Sequence, residues 1–136
     1  MLIAELLAGK LLNEALDLVL EFLDRKKEAS ETADALRKAR TAEDISELGE
    51  GWVAEEALAV ALYCTLRHQD DFSAGIIAAV NHSGDSDSTG AIAGNILGAY
   101  LGDGALSQEW IAPLDTLEGI ELMARELDAV AREQGL

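Results

Sequence analysis

The chain has 136 residues, of which 49% are hydrophobic but only 4% aromatic, so its core must be built mainly from aliphatic side chains. Its 26 acidic residues against 10 basic ones give a formal net charge of −16, and such a field repels both nucleic acid and anionic membranes. No apolar run reaches the roughly 18 to 20 residues that a membrane span needs, and residues 1–7 lack the basic start of a signal peptide. We therefore expect a single soluble, cytoplasmic domain over residues 1–136, with no nucleic-acid or membrane partner.

Apolar residues recur at helical spacing along most of the chain, and no alternating strand pattern competes with them. In chain order, the pattern predicts helices over residues 11–28, 30–40, 52–68, 70–80, 88–101 and 116–134. Ser30 is expected to cap the second of these helices, and residues 41–51, which are polar and contain two glycines, are expected to form a loop. The sequence therefore predicts an all-α bundle of about six helices. Cys64, the single cysteine, is expected to be a small buried hydrophobe.

Four glycines recur at every fourth position from residue 90 onward: Gly90, Gly94, Gly98 and Gly102. Residues at this spacing share one face of a helix. Because a glycine inside a helix costs roughly 1 kcal/mol relative to alanine, we expect compensating close packing against neighbouring helices. Such packing would hold the turn at the start of this helix rigidly.

The turn before this helix carries the most distinctive polar pattern in the chain. Asp85 and Asp87 are one residue apart, behind Gly84, and hydroxyl-bearing residues separate and follow them. Carboxylates and hydroxyls on one turn form a hard oxygen ligand set, which suits Mg²⁺, Mn²⁺ or Ca²⁺ better than zinc. Helix capping by Asp87 or Ser88 is the alternative, with Asp85 favoured by the helix dipole. The spacing leaves both interpretations open, and neighbouring His82 is expected to be structural.

Residues 81–90 read Asn-His-Ser-Gly-Asp-Ser-Asp-Ser-Thr-Gly, and a run of mainly small and apolar residues follows as far as Tyr100. This segment resembles the C-terminal signature of the ADP-ribosylglycohydrolase family, which includes the hydrolase that reactivates ADP-ribosylated dinitrogenase reductase and the J1 crystallins. The stretch from Gly51 to Val53 is similar to the family's glycine-aromatic-valine helix start. The resemblance is best over residues 49–102. It implies an all-α bundle around a centre of two Mg²⁺ or Mn²⁺ ions.

The resemblance also implies roles for individual residues. By position, Asp85, Asp87 and Ser88 resemble metal ligands, and Asp87 would touch both ions. The same two aspartates are the implied catalytic residues, since in this chemistry the metals orient the ribose hydroxyls and a water that attacks the anomeric carbon. Trp52 and Gly84 would lie near the ADP-ribose, although packing at a helix start is an equal alternative for Trp52.

The chain departs from the family pattern in its first half. Family members supply further metal ligands from a Thr-Asp-Asp cluster and an early Gly-Asp segment, and no Thr-Asp-Asp occurs here. The chain also opens within what would be a helix, at Met1. It therefore resembles only the C-terminal part of a larger ADP-ribosylglycohydrolase-like domain, with an incomplete metal site.

Together these features predict the C-terminal part of a metal-dependent hydrolase, inactive alone, for the glycosidic bond between ADP-ribose and a modified side chain or small molecule. Its substrate would be an ADP-ribosylated protein or an ADP-ribose derivative. The alternative is a non-enzymatic helical interaction module that keeps the turn as a cap or weak ion site. If half of the family fold is absent, the glycine face and the apolar stripe of Leu11, Leu16, Val19 and Leu23 would be partly exposed. We therefore expect a homodimer or association with a missing N-terminal half. The alternative is that residues 11–40 fold back and cover this face, which would give a monomer.

Overall fold

The computed structural model describes residues 1–134, and every regular element within them is helical. Short 3-10 turns lie at Lys27–Ala29, Ile45–Leu48 and Asp103–Ala105. The predicted all-α class is confirmed. The described residues form eight α-helices rather than about six, because two of them are too short to show a clear apolar period. The helices are α1 (Leu2–Leu7), α2 (Leu12–Asp24), α3 (Ser30–Thr41), α4 (Ala54–Arg67), α5 (Phe72–Val80), α6 (Ser86–Leu101), α7 (Gln108–Ile111) and α8 (Leu117–Gln134).

The chain divides into two compact units, Met1–Ala105 and Leu106–Leu136. The first unit contains α1 to α6 and the buried hydrophobic core. The second contains α7 and α8, in which no residue is buried. Among the described helices, none combines the length and the apolar character that crossing a membrane requires. The single domain expected over residues 1–136 stays a prediction.

Helix α4 runs through the core of the first unit and packs against α3, α5 and α6. Its apolar positions are filled by buried side chains such as Val60 and Leu62, which meet Leu36 of α3 in one cluster. Cys64 lies on the side of α4 that faces α5 and α6. Its burial is as predicted and raises the pKa of the thiol to about 11. The cysteine is therefore a protonated, inert packing residue at neutral pH.

Several helix boundaries differ from the predicted ones. The first long helix ends at Asp24 instead of residue 28, because a 3-10 turn follows it. The predicted cap of α3 is wrong: Ser30 already has helical angles (φ −60°, ψ −40°), and Ala29 occupies the N-cap position. Helix α4 begins at Ala54, so Trp52 lies outside the helix that was expected to contain it.

The apolar stripe that was expected to be partly exposed is buried at two of its four positions. Leu16 is fully buried and Val19 is 8% exposed, and both belong to a core cluster with residues of α3 and α4. Only Leu11, at 58%, is largely exposed. The reason is that α2 and α3 fold back over α4, so the stripe finds its partners within the first unit. The stripe therefore gives no support to the homodimer, which stays a prediction.

The glycine face of α6 packs closely only along its first half. A Cβ atom added at Gly90 would lie 2.6 Å from Val80 Cγ1 on α5, and one added at Gly94 would make an ordinary contact with the same helix. A Cβ added at Gly98 or Gly102 would meet nothing within 4 Å. The predicted close packing therefore holds for the half of α6 next to residues 84–88, which we call the acidic turn, and fails for the other half.

Candidate metal and substrate site

The two acids of the signature lie at the N-terminal end of α6. The helix begins at Ser86 and Asp85 is its N-cap residue, so Asp87 and Ser88 are in its first turn. The alternative in which Asp87 or Ser88 caps the helix is therefore wrong. The Asp85 side chain makes no well-formed cap hydrogen bond in that position, although the Ser88 N–H lies close enough to act on its carboxylate.

The three predicted metal ligands are brought together by this first helical turn. Hydrogen bonding with the Asp87 carboxyl, and next with the Ser88 hydroxyl, lowers the pKa of Asp85 below its ordinary value. Partial desolvation opposes this shift, whereas the Ser88 N–H and nearby His82 add to it. Two carboxyl groups and a hydroxyl that converge in this way form an oxygen cluster suited to a hard divalent cation. Within residues 1–134, no group of three or more His, Cys, Asp or Glu side chains is placed to hold a metal ion.

Thr89 fastens the acidic turn to the end of α5. Its side chain is fully buried, and its hydroxyl oxygen lies 2.7 Å from the Ala79 carbonyl oxygen and 3.0 Å from that of Asp85. His82 Nε2 lies 2.8 Å from the same hydroxyl. With the hydroxyl proton donated to the Ala79 carbonyl oxygen, the Thr89 oxygen accepts a hydrogen bond from the Nε2–H tautomer of His82. This contact gives His82 the structural role expected from the sequence.

A second loop, formed by residues 49–51 shortly before α4, packs directly on the acidic turn. The backbone N–H of Asp85 donates to the Glu50 carbonyl oxygen at 2.8 Å. A Cβ atom added at Gly84 (φ 152°) would overlap that oxygen and lie 2.7 Å from the carbonyl carbon. One added at Gly51 (φ 81°) would lie 3.1 Å from Thr89 Cγ2 and 3.7 Å from the Asp85 Cβ. The two glycines therefore allow the backbones to approach closely. A contact between Gly84 and a substrate stays a prediction.

Trp52 follows this second loop and is 68% exposed. Its indole N–H donates to Glu50 Oε2 at 3.1 Å, which ties the ring to the loop. A side chain that is this exposed is not packed against the start of α4, which was the alternative role for Trp52. Trp52 is joined directly to Gly51, on which an added Cβ atom would come within 3.7 Å of the Asp85 Cβ, so the backbone of Trp52 lies close to the acidic turn. Its ring offers a free aromatic surface there.

A cleft of about 410 Å³ lies on another side of the second loop, where Lys38 of α3, Gly49 and Glu56 are among its lining residues. None of its lining residues belongs to the acidic turn. The acidic turn therefore lies outside this cleft.

Sequence reasoning missed Glu56 and Thr89. No functional role was predicted for Glu56, yet its carboxylate accepts two backbone hydrogen bonds from the second loop. It stands three residues after the N-cap residue Val53, the spacing of a capping box, but a valine N-cap gives no recognisable signal. Thr89 stands inside the signature, where its burial could not be read from spacing.

Comparison with known proteins decides the family. Residues 1–136 match the family model described as ADP-ribosylglycohydrolase. The chain belongs to the ADP-ribosylglycohydrolase family. The match extends on both sides of residues 49–102, the part in which the signature and its neighbouring helices are most evident.

Relatives of this ADP-ribosylglycohydrolase family chain are considerably longer than it. It is 30% identical to mouse ADP-ribosylhydrolase ARH3 over 101 residues, which are 67% of this chain and 27% of the relative. With the human protein of the same name it shares 29% identity over 119 residues, 80% of this chain and 32% of the relative. With the ADP-ribosyl-[dinitrogen reductase] glycohydrolase of Rhodospirillum rubrum it shares 37% identity over 67 residues, 49% of this chain and 22% of that protein. The matched part of the chain therefore covers between 22% and 32% of the length of these relatives. No solved structure matches it.

Proposed function

We propose that this chain contributes part of the divalent-metal centre of an ADP-ribosylglycohydrolase. The reaction would hydrolyse the glycosidic bond between ADP-ribose and a modified side chain or small molecule. The observation that carries the proposal is the convergence of Asp85, Asp87 and Ser88 on the first turn of α6 in a chain of this family. The names of the relatives, an ADP-ribosylhydrolase and an ADP-ribosyl-[dinitrogen reductase] glycohydrolase, support an ADP-ribosylated substrate.

The donor set of the turn fits Mg²⁺ or Mn²⁺. Both ions prefer carboxylate and hydroxyl oxygens, and the turn offers two carboxylates and one hydroxyl on neighbouring residues. When bound, such ions supply Lewis-acid activation of water and orient substrate hydroxyls. The chain's own residues hold these oxygens in place. The first turn of α6 carries Asp87 and Ser88, and the hydrogen bond to the Glu50 carbonyl oxygen fixes the backbone of Asp85.

This donor set fills only part of an octahedral coordination shell. We therefore infer that the remaining ligands come from another part of a longer protein, and that the chain alone binds the metal weakly and does not turn over substrate. Association with such an N-terminal half, or a homodimer of this chain, belongs to the same proposal. Light scattering with and without a co-expressed N-terminal half of a relative measures which of these assemblies forms.

Trp52 is the residue that we assign to the substrate. Its exposed ring offers a flat aromatic surface on which the adenine or ribose of ADP-ribose can pack. The hydrogen bond from its indole N–H to Glu50 restrains the ring beside the turn, so part of the cost of ordering it is met before the substrate arrives.

Calorimetric Mn²⁺ titration of the wild-type chain and three variants tests the proposal. We expect weak binding by the wild type and a loss of about tenfold or more in D85N and D87N, which is about 1.4 kcal/mol. The matched control is D70N, because Asp70 is an exposed acid outside the turn and its replacement changes the net charge equally. Equal losses in all three variants would show diffuse attraction of the cation to a chain of charge −16. That result would leave the non-enzymatic helical module as the function.

A further inference from the structure

Glu56, on the first turn of α4, holds the loop that contacts the acidic turn. Its Oε2 atom accepts the backbone N–H of Glu50 at 3.2 Å and that of Gly51 at 3.1 Å. Gly49 packs against the same carboxyl group so closely that a Cβ added there would lie 2.6 Å from Glu56 Oε1. The carboxylate is therefore enclosed by the three residues of the loop that precede Trp52.

The loop has few other means of keeping its shape. Gly49 and Gly51 have φ angles of 90° and 81°, a region in which glycine has wide conformational freedom to lose. Among residues 1–134, the backbone N–H groups of Glu50 and Gly51 find hydrogen-bond acceptors only in Glu56. The Glu56 carboxylate therefore stabilises one backbone conformation of a loop whose two glycines could adopt many others.

One peptide group transmits this selection to the acidic turn. The peptide between Glu50 and Gly51 donates its N–H to Glu56 and accepts the N–H of Asp85 with its C=O, at 2.8 Å. In a planar trans peptide the N–H and C=O point in opposite directions, so fixing one fixes the other. Glu56 therefore aims the Glu50 carbonyl at Asp85.

We propose that Glu56 is a positioning residue for the acidic turn, acting through the Glu50–Gly51 peptide on the backbone of Asp85. Its consequence for metal binding rests on the function proposed above, whereas its effect on the turn does not. Because Oε2 is engaged by two N–H groups, Glu56 acts through these hydrogen bonds rather than through a long-range effect of its charge.

Two substitutions distinguish the effect of the length of the Glu56 side chain from the effect of its charge. Glu56→Gln keeps the length of the side chain and an oxygen that can accept both N–H groups, but removes the charge. Glu56→Asp keeps the charge but shortens the side chain by one methylene, so the oxygen withdraws from the loop. Glu55→Ala is the matched control, because Glu55 lies in the same first turn of α4 and accepts no hydrogen bond among the described residues.

Amide hydrogen exchange measured by NMR on the full chain tests the proposal, with a circular-dichroism spectrum to check the fold of each variant. In E56D the amides of Gly51 and Asp85 should exchange faster by about threefold to tenfold, the change expected for a lost hydrogen bond. In E56Q and E55A their exchange should stay close to that of the wild type. The opposite order, with E56Q fast and E56D unchanged, would overturn the proposal in favour of a charge effect.

Mn²⁺ titration of the same variants distinguishes this inference from the proposed function. We expect the affinity of E56D to fall by a few-fold, and that of E56Q to remain near the wild-type value. If the wild type binds no Mn²⁺, the proposed function fails, while the exchange rates still test the positioning role. If the wild type binds Mn²⁺ at the turn but E56D exchanges like the wild type, the positioning role fails alone.

Discussion

Replacing Gly84 by alanine tests whether the acidic turn depends on its contact with the loop before α4. Gly84 has a φ of 152°, which alanine rarely adopts, and a Cβ there would overlap the backbone of Glu50. The obstacle is main chain, so no side-chain rotation can relieve it. The two loops must move apart, and the hydrogen bond from the Asp85 N–H to the Glu50 carbonyl must lengthen or break.

The cost of this substitution can be worked from its parts. Backbone strain of this kind costs about 1 to 3 kcal/mol, and the lost hydrogen bond about 1 kcal/mol. The free energy of unfolding should therefore fall by about 2 to 4 kcal/mol, which lowers Tm by roughly 10 °C for a chain of this size. Thermal unfolding followed by circular dichroism measures the shift, and Mn²⁺ affinity should fall with it.

Gly98→Ala is the matched control for Gly84→Ala. Gly98 lies inside α6, and a Cβ added there would meet no atom within 4 Å. Alanine is favoured over glycine in a helix, so G98A should raise the free energy of unfolding by about 0.5 to 1 kcal/mol. If G84A melts at the wild-type temperature, or if both variants shift Tm in the same direction, the close contact between the two loops is not as described.

Three further predictions concern single groups. Thr89→Val keeps the shape of the side chain but leaves the His82 Nε2–H without its acceptor. The free energy of unfolding in urea should therefore fall by about 1 to 3 kcal/mol. The fall should be smaller for T65V, because the Thr65 hydroxyl bonds only within its own helix. Because the folded-state pKa of Asp85 is lowered, its stabilising contribution is present above the ordinary value of 3.8 and is lost as the pH falls through the lowered pKa. Carboxyl NMR shifts should show Asp85 protonating at a pH below the ordinary aspartate value of 3.8. Cys64, with a pKa of about 11, should react with a thiol reagent at pH 8 only after denaturant is added.

The helical class could be predicted from the sequence because the long helices carry a strong apolar period. Helix α4 buries seven of its residues and was expected within two residues of its observed start. Helix α1, with six residues, and α7, with four, are too short for periodicity to define them. The 3-10 turn at Ile45–Leu48 has a readable signal, since Asp44 and Glu47 form a capping box. The prediction of a plain loop there missed it.

The acidic turn could be found from its residues, but the contacts that hold it could not. Asp85, Asp87 and Ser88 are neighbours in sequence, so their convergence follows from one helical turn. The contact between Gly84 and Glu50 joins two loops that are distant in the chain, and no pattern in either loop identifies its partner. Burial of the Leu16 side of α2 could be stated only as the alternative to an exposed stripe, because it depends on how α2 and α3 fold over α4.

Paramagnetic broadening by Mn²⁺ tests most directly whether the acidic turn is the metal site. Because the chain has 26 acidic residues, a cation can bind weakly at many places on its surface. The position of the broadened signals is therefore more informative than the overall affinity for Mn²⁺. In a ¹H–¹⁵N spectrum at low Mn²⁺ concentration, with Mg²⁺ as the diamagnetic reference, the amides of residues 84–89 and the Trp52 indole N–H should broaden first. Broadening that begins elsewhere, for example along the acidic face of α2, or that spreads evenly over the surface, would contradict a metal site formed by Asp85, Asp87 and Ser88.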